Sequence, residues 1–395
     1  MNCKRERSTC RVPWVLVAAG FHRHGGMDRA NAALADYLAR QGSPVHLVAH
    51  NVDPELAANP NITVYPVSLP AGSFLLGESL LRRAGQAIAT KITAKSPRTR
   101  VLVNGGNCAW PDINWVHCVH RAWNPADRSA PAWYRVKNRL DKFLARRHEV
   151  KAFRKASLML ANSERTREQL IEFFNLNPER VRTVYLGVEP DCTPTTAVER
   201  SIARQRLGLS LSRPLVVFVG FLGYDCNKGF DVLLSAWKAL CDQPAWDADL
   251  VAAGGGRGSE RWHTLISQAG LSNRVRMLGF TTRVNEVLAA ADLLVSPVRY
   301  EAYGLNVQEA ISRGIPAMVS AKAGIAERYP RTLSELIIPD PQDAEDLGAR
   351  LFRWRSAIEK WKQHMKLFSS SLRAHTWDDM AREIVELAAQ SPPAK

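Results

Sequence analysis

The sequence predicts an α/β chain built as two doubly wound domains, and three observations predict it. At 395 residues the chain is longer than one hydrophobic core ordinarily serves. Short apolar runs alternate with amphipathic stretches of helical spacing, the pattern of a parallel sheet covered on both faces. The alternation breaks at "GVEPDCTPTTAVE" (187–199), rich in Pro and Thr and without periodicity, and then starts afresh.

In the first series "WVLVAAG" (14–20) reads as a buried strand. A glycine-containing loop follows, then the amphipathic "DRANAALADYLARQG" (28–42). "PVHLVAH" (44–50), "RVLVNGG" (100–106), "INWVHCVH" (113–120) and "SLMLANS" (157–163) repeat the strand pattern. The second series runs "PLVVFVGFLG" (214–223), a helix "GFDVLLSAWKALC" (229–241), "ADLVAAGGG" (248–256), "RVRMLGF" (274–280), "ADLLVSPV" (291–298) and "IPAMVSA" (315–321). "TWDDMAREIVELAAQ" (376–390) is a terminal amphipathic helix. The expected boundaries are an N-terminal domain at 1–190, a linker at 191–204, a C-terminal domain at 205–370, and a terminal helix and tail at 371–395. Two such domains are expected to face a central cleft, with ligands beyond the carboxyl ends of the strands.

Composition excludes several classes. Hydrophobic residues at 46% and charged residues at 23% are ordinary globular values. No apolar run approaches the roughly 18 residues needed to span a bilayer. "MNCKRERSTCRVPWVLVAAG" lacks the long apolar segment and small-residue cleavage site of a secretory signal. Seven cysteines, an odd number with no CxxC pair, argue for a reducing cytoplasm.

The net charge of +15 is uneven, since residues 1–200 hold 29 Lys and Arg against 17 Asp and Glu. It concentrates in "RVKNRLDKFLARRHEVKAFRKA" (135–156), where nine basic residues oppose only Asp141 and Glu149. One reading is attraction to an anionic membrane surface at the inner face of the membrane. The reading expected for the helix itself is plainer: a solvated basic face whose apolar stripe, Val136, Leu140, Phe143 and Leu144, packs on its own domain. The asymmetry between halves still favours an acidic or membrane-borne partner. No aromatic-basic platform for nucleic acid is evident.

The chemistry-bearing stretches are weak one by one. Gly25-Gly26 precede a helix that Asp28 is placed to cap, and a helix start favours an anion. "AAGGGRGSERW" (252–262) contains GxGxG, but the dinucleotide fingerprint belongs at the first strand. His117 and His120 cannot share a metal if the strand continues through both, because residues three apart point to opposite faces. His120 stands where doubly wound sheets place chemistry. Lys228 precedes Gly229 at a helix start and suits phosphate oxygens. "VRYEAYGLNVQEA" (298–310) sets Glu301 on a loop and Glu309 eight residues on, inside the following helix.

The combination is specific. The GG turn, His120, "ANSERTREQL" (161–170), "VGFLGYDCNKGFDVLLSAW", "RVRMLGF" and the E-x7-E segment leading to "EAISRGIPAMVSAKAGIAE" follow one another in the chain. This order resembles the glycosyltransferases of family 4, retaining enzymes of the GT-B fold, over nearly the whole chain. The resemblance implies two Rossmann-like domains with the terminal helix, at Trp377, crossing back to the first. It also implies transfer of a sugar from a nucleotide-sugar to an acceptor hydroxyl, without metal or other cofactor. The acceptor would be a carbohydrate or a lipid-linked molecule, in cell-surface polysaccharide or glycolipid synthesis.

Residue by residue, it places Glu309 on the donor ribose and Glu301 near the transferring sugar. The backbone of Tyr303, Gly304, Leu305 and Asn306 falls on the sugar and diphosphate, Gly26 closes on the diphosphate, and Gly25 counts among the donor-binding residues. His120 lies near the reacting centre, and Lys228 neutralises the leaving group. Gly220 and Phe280 end strands on the donor side. The chain departs from the pattern at Phe221, where Gly-Arg is common. Arg299 and Arg257 are the candidates to replace that cation. The competing expectations are a nucleotide-sugar-binding protein with little turnover, and a retaining phosphorylase needing a pyridoxal-phosphate lysine.

Overall fold

A computed structural model of the chain describes residues 12–23, 25–70, 74–123 and 130–391, the side chains of 74 and 75 excepted. Residues 1–11 of the stretch read for a leader lie outside them. The fold divides into two compact units. One comprises Met1–Ala122, Val136–Gly187 and His375–Lys395, the other Trp123–Arg135 and Val188–Ala374.

The first unit holds a seven-stranded parallel sheet in the order Ile62–Pro66, Val45–Ala49, Trp14–Val17, Arg100–Asn104, Ile113–Val116, Leu158–Ala161, Val181–Thr183. The central strands are buried along their whole length, as "WVLV" and "RVLVN" require of a sheet covered on both faces. Ser163 caps the Glu164–Phe174 helix by accepting the Thr166 amide at 3.0 Å, which is the local role of "ANSERT".

The chain's last helix, Trp377–Gln390, belongs to this unit. Thr376 and Asp379 form a capping box, and Asp378 receives both Arg40 guanidinium nitrogens at 2.6 and 3.2 Å. Arg29 lies over the Trp377 ring, 5.7 Å from its centroid.

The second unit holds a six-stranded parallel sheet in the order Val275–Gly279, Asp249–Ala253, Leu215–Val219, Leu293–Ser296, Ala317–Ser320, Ile337–Ile338. Both sheets reverse winding beside their first strand, and doubly wound folds place ligands at such a switch point.

Three differences from expectation have physical reasons. Ile62–Pro66, Val181–Thr183 and Ile337–Ile338 are strands without the continuous apolar run of the central ones, being short or at sheet edges. Ala197–Arg206 is a helix that takes up the second half of the stretch expected as linker and runs two residues past it, held by a Thr196–Glu199 capping box and by Arg204 on Asp292 at 2.6 Å.

The expected packing of the basic helix is corrected. The Ala132–Lys155 helix buries only Glu149, Ala152 and Phe153, and Phe153 meets Phe174 edge to face at 4.8 Å. Val136, Leu140 and Phe143 are 66%, 51% and 55% exposed, because the helix covers its sheet only with its last turns. Leu144 is half-buried.

Candidate active site

In the second unit the loops after the two switch-point strands are stapled together. Asn227 donates its side-chain amide to the Tyr300 carbonyl and accepts the Tyr300 amide, both at 2.9 Å. The Arg299 amide donates to the Asn227 carbonyl at 2.7 Å. The Arg299 guanidinium grips both Asp231 oxygens at 2.8 and 2.7 Å and also meets the Cys226 carbonyl. The Asp231 hydrogen bond outweighs the burial of Arg299 and raises its pKa. Arg299 is thereby a loop clamp rather than a spare cation for a ligand.

The staple brings Lys228 and Glu301 into an ion pair, both side chains half-buried. Two glycines allow the close approach. Gly229 has φ 74°, and a Cβ there would sit 1.9 Å from the Pro297 carbonyl oxygen. Gly254 has φ 153°, and its Cβ would fall 1.7 Å from the Gly220 oxygen. Gly220 itself lies against Lys228, with 3.3 Å between its would-be Cβ and the lysine Cγ.

Gly304 precedes the Leu305–Ser312 helix, and its carbonyl accepts the Val307 and Gln308 amides at 3.1 Å. Asn306 donates its side-chain amide to the Val219 carbonyl at 2.9 Å, fixing this helix start over the end of the first strand. The first amides of such a helix have no partner within it and make an anion-binding terminus. Glu301 and Tyr303 are pinned from the other side: the Gly324 amide donates to the Glu301 carbonyl at 3.0 Å and the Ile325 amide to Tyr303 at 2.7 Å.

The Tyr303 side chain turns inward. Its hydroxyl meets Gln308 and accepts from Arg328 at 3.0 Å, and burial pushes its pKa up to about 12. Only its backbone is left to serve a donor. Glu309, half-buried, stands on the same helix as Asn306, in electrostatic reach of Cys192. Phe280 is 82% exposed beyond its strand, its Cβ close to Gly255. Phe221 is 48% exposed and lays its ring over Gly223 and Gly256. Arg257 is exposed on the neighbouring loop, its guanidinium 6.0 Å from the Trp133 ring centroid. Arg261, which sequence reasoning missed, reaches the Lys228 loop through the Gly223 carbonyl at 3.4 Å and Cys226 Sγ at 3.1 Å.

In the first unit, the helix after the GG turn begins at Gly26 with Gly25 just before it. The expected capping by Asp28 is corrected: Gly25 holds the cap position without a side-chain bond. Asp28 sits in the first turn, 3.5 Å from His22, and burial raises its pKa against the pull of that histidine.

The strand expected to reach His120 ends at Val116, so His120 stands on the turn beyond it. Its backbone amide and Nδ1 both donate to Glu149 Oε1, at 3.0 and 2.7 Å, and Arg146 donates to its carbonyl at 3.1 Å. Burial disfavours the imidazolium, but the hydrogen bond and charge of Glu149, aided by Glu78, outweigh it and raise the His120 pKa. His117 differs: it lies beside the Trp115 ring, and burial lowers its pKa to about 3. Glu149 was legible only as one of two acids in a basic segment.

Comparison with known proteins fits this arrangement. The model "Glycosyltransferase Family 4" matches residues 24–191 and "Glycosyl transferases group 1" matches 199–365. Mannosylfructose-phosphate synthase of Agrobacterium fabrum is 27% identical over 262 residues, 61% of this chain and 54% of that protein. The chain spans about half the length of the first curated relatives it matches. Among solved structures, WaaG, described as a glycosyltransferase involved in lipopolysaccharide biosynthesis, superposes with TM-score 0.74 at 18% identity, over 95% of this chain and 99% of that one. Anabaena HepE in complex with UDP-glucose superposes with TM-score 0.67 at 18% identity, over 96% of this chain and 100% of that one. Matched in both halves and sharing the GT-B fold, the chain belongs to the family 4-type glycosyltransferases.

Proposed function

We propose that the protein transfers a hexose from a nucleotide-sugar to an acceptor hydroxyl with retention at the anomeric carbon, acting in the cytoplasm in cell-surface polysaccharide or glycolipid synthesis. The observation that carries this reading is the Lys228–Glu301 pair at the switch point of the second sheet, beside the helix start at Gly304. Leaving-group charge is met there by an ammonium and by preorganised amides, usually the largest catalytic contribution. No metal or other cofactor is needed for that step.

On donor binding, Lys228 turns from Glu301 toward the diphosphate, and the Leu305 and Asn306 amides take further phosphate oxygens. Glu301 then accepts hydroxyl hydrogen bonds of the transferring sugar, and Glu309 those of the ribose. His120, its Nδ1 proton held on Glu149, keeps the role near the reacting centre that the family resemblance gives it. UDP-glucose bound by the structural relative HepE supports a nucleotide-sugar donor. The description of WaaG supports the cell-surface role.

A thermal-shift screen against UDP-, GDP- and ADP-sugars, with Glu309→Ala as control, tests the donor site. Stabilisation by one donor that the variant loses is the expected result. A folded protein answering to none of them would sink it. The anomeric configuration of the first-formed product, read by NMR, tests retention.

Phe221 favours a second reading, a nucleotide-sugar-binding protein with little turnover, because an apolar ring lies where a diphosphate cation is common. Binding without hydrolysis or transfer of the donor would select it.

A further inference from the structure

We infer that a cavity at the amino ends of the second unit's sheet binds the phosphate group of a small phosphomonoester, such as a sugar phosphate. Five cations line it: Arg200, Arg204, Arg355, Lys360 and Lys362. Its volume of about 440 Å³ falls within the range of small-molecule pockets. Two of its wall residues fix its place, Pro214 just before the Leu215–Val219 strand and Asp292 just before Leu293–Ser296. Lys228 and Glu301 follow the carboxyl ends of the same two strands. This is therefore a second site, and it does not rest on the donor reading.

The charge on these walls does not balance. Asp292, a buried carboxylate, is held by Arg200 and by Arg204 at 2.6 Å, with Lys362 3.5 Å away and Arg355 in electrostatic reach. Asp247 pairs with Arg355 and Glu359 with Lys362, but these two carboxylates are 51% and 80% exposed and solvent screens them. Five cations thus face three carboxylates, and only one of the three is buried among them.

The cations divide into a strut and ligand donors. Arg204 is 3% exposed and spends its nitrogens on Asp292 and on the carbonyls of Ala290, Ser210, Leu211 and Arg213. Arg200, by contrast, engages only Nη1, on Asp292, among the described residues, and about a third of its side chain is exposed. Arg355, Lys362 and the exposed Lys360 are likewise able to turn a donor to a ligand. A phosphomonoester carries about −1.5 to −2 charges near neutral pH, with three strong acceptor oxygens, which matches the surplus of two cations. The Ser212 and Ser356 hydroxyls and the apolar Pro214 and Ile358 on the same walls suit the organic part of the ester. Bound there, the phosphate would tie the Ala197–Arg206 and Ile358–Arg373 helices together through their cations.

The test is isothermal titration calorimetry of the full chain with ribose 5-phosphate, inorganic phosphate and ribose. Ribose 5-phosphate is expected to bind, less tightly as salt rises, and ribose not to bind. Lys360→Gln/Lys362→Gln should weaken ribose 5-phosphate at least about tenfold, the worth of one hydrogen bond to a charged group, at unchanged melting temperature. If that variant does not fold, Arg355→Gln gives the same reading, because its partner Asp247 is solvated. Lys228→Ala should leave the affinity as it is. Absence of binding by either phosphate probe, or unchanged affinity in the folded cavity variants, overturns the inference. So does binding that Lys228→Ala abolishes and the cavity variants keep, which would assign the ligand to the donor site. Inorganic phosphate bound as tightly as ribose 5-phosphate would overturn the ester and leave the cavity to the free ion.

Discussion

Nδ1 of His120 lies 2.7 Å from Oε1 of Glu149, a carboxylate 1% exposed that also receives the His120 backbone amide. Glu149 therefore sets both the position of the turn and the charge of the ring. His120 should titrate above the ordinary histidine value of about 6.5, and Glu149→Gln should bring it down. A raised histidine pKa gives stability that is full below the unfolded pKa and lost as pH rises through the folded one. The stability gap between wild type and Glu149→Gln should accordingly be widest in mild acid and narrow as His120 deprotonates. NMR titration of the His120 ring with parallel denaturation curves checks both, and identical titration in the variant would refute the coupling.

Lys228→Ala should cut turnover by about 10²–10³-fold, the loss typical of a group stabilising developing charge. Stability should change little, because the pair with Glu301 is partly solvated. Steady-state kinetics with the donor found by the thermal screen, beside a melting curve, separates the two effects. Turnover within a few-fold of wild type would remove Lys228 from the mechanism.

Arg299→Ala should act the other way. It leaves Asp231 without its Arg299 partner, removes one of the two donors to the Cys226 carbonyl, which keeps the Gly229 amide at 3.0 Å, and loosens the loop that carries Lys228. A loss of about 2–3 kcal/mol is expected, less than the roughly 3–5 kcal/mol of a fully buried pair because Asp231 remains partly solvated. Arg299→Lys should recover only part, since a single ammonium cannot make the two parallel bonds. Urea denaturation of both variants decides it; equal recovery by lysine would show that charge alone matters there.

Gly229→Ala should cost more than about 3 kcal/mol, combining a positive φ with collision against the Pro297 carbonyl. Gly42→Ala is the control: φ is 79°, but nothing stands within 4 Å of the added carbon. Its cost should stay near 1–2 kcal/mol, the left-handed penalty by itself, so about that is expected there. If the two variants melt alike, the close packing of the Lys228 and Glu301 loops is not what the glycine serves.

Much of this was determined locally. Runs such as "WVLV" and "LVVFV" can satisfy their backbone and bury both faces only inside a parallel sheet, so the central strands and the two series were legible. Lys228, Glu301, Asn306 and Glu309 became candidates through their order along the chain, and the structure brings Lys228 and Glu301 together. The tertiary structure decided what depends on partners distant in sequence. Glu149 meets His120 across 29 residues, and Arg299 meets Asp231 across 68, which makes a clamp of a candidate cation. The same holds for Val136, Leu140 and Phe143: helical spacing shows that they share a face, but only the position of the sheet shows that the face lies beyond it. Periodicity reports which residues stand together, and burial is a property of what the rest of the chain brings against them.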